Sequence, residues 1–482
     1  MPDASSAIGD DNRGHQIRIS FVLDPSVESE TPEGDTIEVP SDPIAVPATV
    51  RRRGLSAIIN HLLDRKVEPE KGGSDSDEGL RDGDSDEEDK LPSIHFDFIV
   101  NGRLLRTGLE AAARREGLSF ETAIKIKYFP GARAPKSQGE SEEMPDWITA
   151  MSVSGDDRLV TGCADGSIRA LTCFDKGVVE IGTVKAHTAP VKCVSSLSME
   201  NGGLLLASGS IDQTLLTHVQ SKKKSEFVLH AVYSGGHSSS VCSLSLLNQT
   251  GPNALLASGD WGGGLSIWKV PSVDAASDGG ASGWASKKKQ RTEDASSSAI
   301  SSEIDEVQPA ASWKAHSSNI SGIVYTNGSN GRNIITGSWD HSLKVWDTER
   351  QDCILTLNGS RVVTALGRCH NSDVVATGHP DCTIRLWDMR VDSKTESSLV
   401  TDSTLKPSHK AWVSAVNWSP TDPYILASTS HDGTVKVWDI RSPLPLHTVR
   451  AHEKGEKGLC LAYGKGVIYS GGSDCVVKRF VQ

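Results

Sequence analysis

A sequence pattern that recurs seven times in the second part of the chain constrains the fold most strongly. Each copy has a run of small residues, a polar turn and a second strand-like segment, which in four copies ends in tryptophan six residues after the turn. The turns are separated by 47, 50, 78, 41, 51 and 42 residues. Self-similarity at such a period indicates a repeat architecture whose units pack on one another. The central turn positions are Asp165, Asp212, Gly262, Asp340, Asp381, Asp432 and Asp474.

The one long interval contains a tract rich in serine, alanine and glycine at residues 271–311, which we predict to be a disordered insert. Without about 40 residues of this tract the period becomes uniform. Each unit then consists of two strands around a turn, preceded by a further apolar strand. A small sheet of this kind cannot bury both of its faces alone, so we expect the units to stack radially.

These repeats resemble the WD-repeat family over residues 147–482, as in TGSWDHSLKVWD at 336–347 and STSHDGTVKVWD at 428–439. The resemblance implies a mainly β fold, a seven-bladed β-propeller. It also implies that an upstream histidine, a strand serine or threonine, the turn aspartate and the tryptophan form a network in each blade. The matching residues are His187, Ser208 and Asp212; His316, Thr336, Asp340 and Trp346; His409, Ser428, Asp432 and Trp438; and His452, Ser470 and Asp474.

Serine, histidine and aspartate are also the components of a hydrolase triad. However, the set recurs from unit to unit, whereas catalysis needs one site, so we expect buried networks that hold the turns. His237 is expected to lack its aspartate, because the third unit has Gly262 at that position, and the first and fifth units lack the upstream histidine. Phosphate-binding glycine loops are also absent from the sequence. We therefore predict a protein that is not an enzyme and requires no cofactor.

The formal net charge of −12 arises mainly from residues 68–90, where eleven acidic side chains accompany three basic ones. This stretch is too acidic to bury a core, so we predict a disordered insert. The remainder is close to neutral, which argues against a broad nucleic-acid surface. Nine cysteines without a CxxC pair favour reduced core residues over a disulfide framework. No apolar run approaches the roughly 18 residues of a membrane span, so we expect no membrane partner.

A smaller domain is predicted at residues 15–130, after a disordered N-terminus at 1–14. Alternating apolar residues indicate strands near 17–23, 44–50, 94–100 and 124–128, and helical spacing covers 55–63 and 109–116. This order is typical of a ubiquitin-like β-grasp, an α+β fold. Residues 131–146 are expected to link it to the propeller at 147–482. The last blade requires an outer strand, either from this linker or from an extension of the strand that ends at Phe129.

The segments DPIAVPATVRRRGLSAIINHLL (42–63), FDFIVNGRLLRTGL (96–109) and GLSFETAIKIKYF (117–129) resemble the N-terminal NLE domain of ribosome-assembly WD-repeat proteins. The whole chain is similar to the WD-repeat subunits of pescadillo–block-of-proliferation (PeBoW) complexes. This resemblance implies a non-catalytic factor for large-subunit maturation and pre-rRNA processing in the nucleus, nucleolus and nucleoplasm. The implied partners are a block-of-proliferation-type propeller protein, pescadillo through the complex, the pre-60S particle and the AAA ATPase midasin, which removes the complex from pre-ribosomes.

The same resemblance implies that Glu121 completes the Mg²⁺ site of midasin in trans. That chemistry requires a solvent-facing, rigidly presented carboxylate. Lys287, Lys288, Lys289 and Arg291 lie in the serine-rich insert and are predicted to act as a nuclear import signal. An alternative function is a WD-repeat substrate receptor of a ubiquitin ligase. That alternative requires a ligase-docking segment outside the propeller, and we recognise none in the sequence.

Overall fold

The computed structural model describes residues 16–25, 36–65, 92–154, 158–174, 177–199, 202–220, 226–248, 254–271, 305–326, 332–389 and 405–482. The chain divides into two compact units, Met1–Arg133 and Ala134–Gln482. The predicted disordered regions at 1–14 and 68–90, and the basic cluster at 287–291, lie outside the described residues. Among the helices that are described, none has the length and apolar character needed to cross a membrane.

The first unit is a five-stranded sheet with two helices. Its elements are β1 (Gln16–Leu23), β2 (Ile44–Pro47), α1 (Arg52–Leu62), β3 (Phe96–Val100), β4 (Arg103–Leu104), α2 (Leu109–Arg115) and β5 (Ile124–Pro130). The strand order is β2-β1-β5-β3-β4, with β1 parallel to β5 and the other pairs antiparallel. This topology confirms the predicted β-grasp. The proline-containing strand β2 lies at the sheet edge, where a missing backbone donor is tolerated.

The core of the first unit lies between the sheet and its helices. Ile19, Ile126 and Tyr128 are buried, whereas Lys125 and Lys127 between them are exposed, as the two-residue period of a strand requires. The Tyr128 hydroxyl donates to the carbonyl oxygen of Ile37 at 3.0 Å, so the polar end of this buried ring is satisfied. The alternation of apolar and basic residues predicted from the sequence therefore places the apolar face of β5 inward and the basic face in solvent.

The second unit consists of short strands throughout. In chain order they are β6 (Lys136–Glu140), β7 (Ile148–Ser154), β8 (Arg158–Cys163), β9 (Ser167–Phe174), β10 (Gly177–Lys185), β11 (Val191–Ser198), β12 (Leu204–Ser210), β13 (Leu215–Gln220), β14 (Phe227–Tyr233), β15 (Val241–Asn248), β16 (Ala254–Asp260), β17 (Gly264–Lys269), β18 (Asp305–Val307), β19 (Ala311–Lys314), β20 (Ile320–Tyr325), β21 (Asn333–Ser338), β22 (Ser342–Asp347), β23 (Asp352–Asn358), β24 (Ala365–Arg368), β25 (Val374–Gly378), β26 (Ile384–Asp388), β27 (Val413–Trp418), β28 (Ile425–Ser430), β29 (Thr434–Asp439), β30 (His447–Arg450), β31 (Gly458–Tyr463), β32 (Val467–Gly472) and β33 (Val477–Val481).

Within the described residues these strands form seven sheets, which we number as blades 1 to 7 in ring order. The blades are β7–β10; β11–β14 with β18; β15–β17 with β19; β20–β23; β24–β26; β27–β30; and β31–β33 with β6. The innermost strands β7, β11, β15, β20, β24, β27 and β31 each contact the next, and β31 contacts β7. The ring is therefore closed, and the fold is the mainly β propeller that the repeats predict.

The ring closes through a strand that precedes the first blade. β6 pairs antiparallel with β33, with Lys136 opposite Val481 and Ser137 opposite Phe480. The interpretation of residues 131–146 as a linker is therefore wrong for 136–140. The last blade contributes only three strands of its own, and β6 covers a sheet edge that would otherwise be unpaired. Of the two origins left open by the sequence, the linker segment supplies the closing strand.

The insert predicted at 271–311 ends earlier than the composition indicates. Residues 272–304 lie outside the described residues, but β18 pairs parallel with β14 and β19 pairs antiparallel with β17. Val307 packs partly buried against the apolar cluster of blades 2 and 3, and Ala311 and Trp313 pack against that of blades 3 and 4. The prediction of disorder is therefore wrong for residues 305–311, because alternating apolar residues there complete two sheets despite their serine- and alanine-rich surroundings.

Candidate functional site

The segment that connects α2 to β5 presents Glu121 to solvent. Gly117 ends the helix in the left-handed conformation (φ +66°), which only glycine adopts without strain. Leu118 and Phe120 pack against the core of the unit, whereas Ser119 and Glu121 are exposed. The Glu121 backbone N–H donates to the Ser119 hydroxyl at 3.2 Å. The carboxylate is thus held on a short turn that is fixed from both sides.

Glu116, the other acidic residue of this segment, is already engaged. Its side chain is 11% exposed and accepts a hydrogen bond from Arg115 at 3.1 Å. The Arg103 guanidinium lies 3.8 Å away, and the Asn101 amide donates at 3.5 Å. By contrast, within the described part of the chain the Glu121 carboxylate has no hydrogen bond or ion pair. Glu121 is therefore the carboxylate of this segment that is available to another molecule.

A cavity of about 350 Å³ lies beside the Glu121 turn. Its lining includes the apolar residues Ile99 and Leu118 and the basic residues Lys125 and Lys127. The described residues contain no group of three or more histidine, cysteine or acidic side chains that would hold a metal ion. A metal bound by Glu121 would therefore take its other ligands from a second molecule.

The predicted networks are formed in blades 4 and 6. His316 Nδ1 lies 2.9 Å from Asp340 and its Nε2 lies 2.7 Å from the Thr336 hydroxyl, which also accepts the indole N–H of Trp346 at 3.0 Å. Blade 6 has the equivalent contacts. His409 lies 3.2 Å from Asp432 and 2.8 Å from the Ser428 hydroxyl, which accepts the indole N–H of Trp438 at 2.8 Å. In blade 7 His452 lies 2.8 Å from both Asp474 and Ser470.

Blade 2 forms a variant of this network. His187 Nε2 lies 2.9 Å from the Ser208 hydroxyl, but its Nδ1 lies 2.7 Å from the Thr214 hydroxyl and 3.4 Å from Asp212. Asp212 accepts the backbone N–H groups of Thr188 and Thr214 at 2.9 and 3.0 Å, as Asp340 does from Ser317 and Ser342 in blade 4. The aspartate therefore fixes the turn directly, and a hydroxyl group bridges it to the histidine.

The electrostatics of these sites follow from burial and hydrogen bonding. Burial alone would raise the pKa of Asp340, but hydrogen bonding from Ser342 and the nearby His316 outweigh it and bring this pKa to about 2. Burial lowers the pKa of His316, although Asp340 opposes this effect. The neutral histidine and the ionised aspartate are thus both favoured near neutral pH.

One expectation about an incomplete blade is wrong. His237 does not lack an aspartate, because Asp260, two residues before Gly262, lies 3.1 Å from its Nδ1 and caps the Gly264 N–H at 2.7 Å. This expectation failed because the sequence comparison assigned the aspartate to one turn position. The carboxylate reaches the same histidine from the preceding strand end.

The fifth blade has a histidine that the repeat alignment missed. His379 follows the strand threonine, and its Nε2 lies 2.8 Å from Thr377 Oγ1. Its Nδ1 donates to the carbonyl oxygen of Val362 at 2.8 Å, and Trp387 also donates to Thr377 at 2.8 Å. Burial lowers the pKa of His379 to about 4. In blade 1, Met144 precedes the innermost strand as the histidines do, and it is buried 3.9 Å from the Thr161 hydroxyl.

The burial of the hydroxyl groups excludes a hydrolytic role for these networks. Ser208, Thr336, Ser428 and Ser470 are 0% exposed, so a substrate has no path to the oxygen atom that would act as nucleophile. The arrangement also recurs in several blades with the same contacts. Fixing the turn at one end of each blade accounts for both facts.

Comparisons with known proteins agree with the folds of both units. The family model described as NLE (NUC135) domain matches residues 28–113. The model described as WD domain, G-beta repeat, matches 141–170, 179–216, 307–347, 351–388 and 401–439. The matched segments do not include β15–β17 of the third blade, where Gly262 replaces the turn aspartate, or β31–β33 of the seventh, where Phe480 replaces the tryptophan. Both segments nevertheless form sheets of the ring.

Curated relatives resemble the chain over most of its length. A protein of Chlamydomonas reinhardtii named ribosome biogenesis protein WDR12 homolog is 30% identical over 92% of this chain and 94% of its own. Proteins of the same name from Nematostella vectensis and Drosophila erecta are each 30% identical, over 79% and 92% of this chain and 86% and 92% of their own. The chain therefore belongs to the WDR12 family of ribosome biogenesis proteins, with an NLE domain followed by WD repeats.

Proposed function

We propose that this protein is a non-catalytic assembly factor for maturation of the large ribosomal subunit and processing of its precursor RNA. The names of the relatives support a role in ribosome biogenesis. In this proposal the propeller binds a block-of-proliferation-type partner and, through it, pescadillo and the pre-60S particle. The NLE domain binds midasin, whose ATP hydrolysis supplies the energy for removing the complex. The protein acts in the nucleolus and nucleoplasm.

The observation that carries this proposal is the setting of Glu121. Its carboxylate is exposed and unengaged within the described residues, on a turn held by the packing of Leu118 and Phe120. Mg²⁺ accepts one or two protein carboxylates and keeps its remaining positions for other oxygen ligands. A rigid single carboxylate therefore suits an incomplete Mg²⁺ site on another protein, where it replaces a water ligand.

The test is a pull-down of the full chain with the metal-site domain of midasin, with Mg²⁺ and with EDTA. Wild type is expected to bind only with Mg²⁺, Glu121→Gln to lose binding, and Glu121→Asp to retain part of it. Asp42→Asn is the matched control, because Asp42 is another exposed carboxylate of the same unit. Equal Mg²⁺-dependent recovery of wild type and Glu121→Gln would contradict the proposal.

The wider assignment is tested by affinity purification of the full chain followed by mass spectrometry. Pescadillo and precursor ribosomal proteins are expected. Recovery of cullin subunits in their place would contradict the assignment and favour a ubiquitin-ligase receptor.

A further inference from the structure

A short connection joins the first unit to the closing strand of the propeller. β5 ends at Pro130 and β6 begins at Lys136, so only residues 131–135 separate the two strands. β6 pairs with β33, the last strand of the chain, and this pairing completes blade 7. A force on the first unit that travels along the chain therefore enters the propeller at the strand that closes it.

Backbone pairing with blade 7 continues beyond β6. The Ser141 N–H donates to the carbonyl oxygen of Val477 at 3.0 Å, and the Met144 N–H donates to that of Cys475 at 2.8 Å. The Val477 N–H donates in return to the Ser141 hydroxyl at 2.9 Å. The residues from Lys136 to Met144, which we call the closing segment, are therefore tied to blade 7 along their length.

Few apolar contacts reinforce these backbone bonds. The side chains of β6 are exposed or half-buried, whereas β23, the outer strand of blade 4, buries Leu355 and Leu357. Lys478 lies 2.5 Å from Glu140, but the Glu140 side chain is 53% exposed, so water screens this ion pair. Met144 is buried in the apolar cluster that blades 7 and 1 share. The closing segment is thus held mainly by backbone hydrogen bonds.

The seam between blades 7 and 1 also has a weak donor of its own. At five other seams a hydroxyl group on the innermost strand donates to a carbonyl oxygen of the next blade. These pairs are Thr149 and Val191, Ser243 and Ile320, Ser321 and Val363, Thr364 and Val413, and Ser414 and Gly458. From blade 7 to blade 1 the donor is the Cys460 thiol, 3.4 Å from the Ile148 carbonyl oxygen, and a thiol donates weakly. Closure at this seam therefore depends more on the closing segment.

The direction of pairing decides how a pull loads the closing segment. β33 follows the Asp474 turn and β6 is antiparallel to it, so Lys136 lies at the end of blade 7 that is opposite this turn, next to Val481. When the propeller is held at the Val481 end, a pull on Lys136 opens the pairs one after another. When it is held at the turn end, the same pull loads the pairs together, so more force is needed.

We propose that the closing segment is a force-sensitive clasp of the propeller. Tension on the first unit draws the segment off β33, which leaves the edge of blade 7 unpaired and opens the ring between blades 7 and 1. This inference rests on the proposed function, because midasin supplies the tension. An opened ring holds its blades less rigidly, so extraction of the protein and loss of the propeller's partner become one event.

The direct test stretches the full chain in an optical trap. Azidophenylalanine replaces Arg133 and either Gln482 or Lys454 to carry the handles, since Lys454 is exposed in the loop at the turn end of blade 7. The first event is expected to be an extension of up to about 40 Å, as the chain from Lys136 to Trp147 straightens. It should need less force with the Gln482 handle than with the Lys454 handle. Equal forces, or a first event that unfolds the propeller in one step, would overturn the inference.

A disulfide across the strand pair supplies the matched variant. Lys136→Cys with Val481→Cys joins opposed residues of β6 and β33, whose separation suits a disulfide. With the Lys454 handle, the oxidised variant is expected to lose the short event and to regain it in dithiothreitol. Thr172→Cys with Val179→Cys is the control, because it joins β9 to β10 in blade 1 and should leave the event unchanged. A short event that persists in the oxidised Lys136→Cys, Val481→Cys variant would overturn the inference.

Release from the precursor particle separates the inference from the proposed function. The oxidised Lys136→Cys, Val481→Cys variant is expected to bind the metal-site domain of midasin like wild type. It should leave isolated precursor particles severalfold more slowly when midasin and ATP are added, and dithiothreitol should restore the rate. Unchanged release would overturn the inference alone. Failure of wild type to bind midasin would overturn both.

Discussion

Two acidic residues, Asp340 of the propeller and Glu121 of the first unit, have opposite settings. Asp340 and its equivalents are mostly buried, accept several hydrogen bonds and recur from blade to blade. Glu121 is exposed, occurs once and is unengaged within the described residues. A carboxylate that the chain satisfies by itself contributes to the scaffold, whereas one that it leaves exposed on a fixed turn is available to a partner. Recurrence and burial together separate these two uses of the same functional group.

The largest expected effect on the scaffold comes from acidification. Burial lowers the pKa of His218 and of His379 to about 4, below the ordinary value of 6.5. Because the folded state holds these histidines neutral, their contribution is complete above pH 6.5 and is lost as the pH falls towards 4. Each contributes up to about 3 kcal/mol to the free energy of unfolding. Urea unfolding at pH 7, 5.5 and 4.5 measures the loss.

His379→Gln is the variant that isolates one of these contributions. It is expected to unfold at lower urea concentration at pH 7 but to lose less stability than wild type between pH 7 and 4.5. A parallel decline of wild type and variant would show that His379 does not titrate in this range.

Removing a turn aspartate is expected to have the next largest effect. Asp340→Ala leaves His316 and the Ser317 backbone N–H without their partner, so the free energy of unfolding should fall by about 1–3 kcal/mol. Asp432→Ala should behave alike, because Asp432 holds the equivalent contacts to His409 and Lys410. Chemical denaturation measures both. Unchanged stability with lost partner binding would identify these residues as a site.

Asp260→Ala tests whether the aspartate of the third blade stabilises the propeller as Asp340 does in the fourth. We expect a loss similar to that of Asp340→Ala, about 1–3 kcal/mol, since the Asp260 carboxylate holds both His237 and the Gly264 N–H. If the third blade did not depend on these Asp260 contacts, it would tolerate the substitution. A loss below about 0.5 kcal/mol, as at ordinary surface positions, would show that the third blade does not depend on this contact.

Deleting residues 272–304 is expected to have the smallest effect on stability, because both strands that follow, β18 and β19, remain. Changing the length of a connection between strands changes its loop-closure entropy only slowly. The same deletion removes Lys287, Lys288, Lys289 and Arg291, so nuclear accumulation of a fluorescent fusion should fall. Unchanged accumulation after replacing these four residues with alanine would remove the import role. Loss of cooperative unfolding would contradict the repeat boundaries.

The sequence predicted the features that depend on regular residue spacing. It missed contacts that a residue at a different position of the repeat makes in place of the expected one. The two-residue alternation of Ile124, Ile126 and Tyr128 and the recurring turn aspartates were sufficient for both folds. Asp260 and His379 were missed because each reaches its partner from a strand end that lies outside the aligned position. Hydrogen bonding depends on where the atoms lie, and several positions of a tight turn bring a side chain to the same point.

The sequence left the origin of the closing strand β6 open for a different reason. Residues 136–140, KSQGE, carry no apolar alternation, and their burial pattern is almost wholly exposed. Their pairing with β33 depends on backbone hydrogen bonds at a sheet edge, which leave little trace in side-chain pattern. The position of Glu121, by contrast, followed from the inward face of β5 and the end of the preceding helix.

The most direct measurement places Glu121→Gln and Asp340→Asn side by side in two assays. These are Mg²⁺-dependent binding to the metal-site domain of midasin and the free energy of unfolding. The account predicts that Glu121→Gln abolishes binding and changes stability by no more than about 0.5 kcal/mol, whereas Asp340→Asn lowers stability and binds like wild type. Retained binding by Glu121→Gln, or loss of binding by a folded Asp340→Asn, would contradict it.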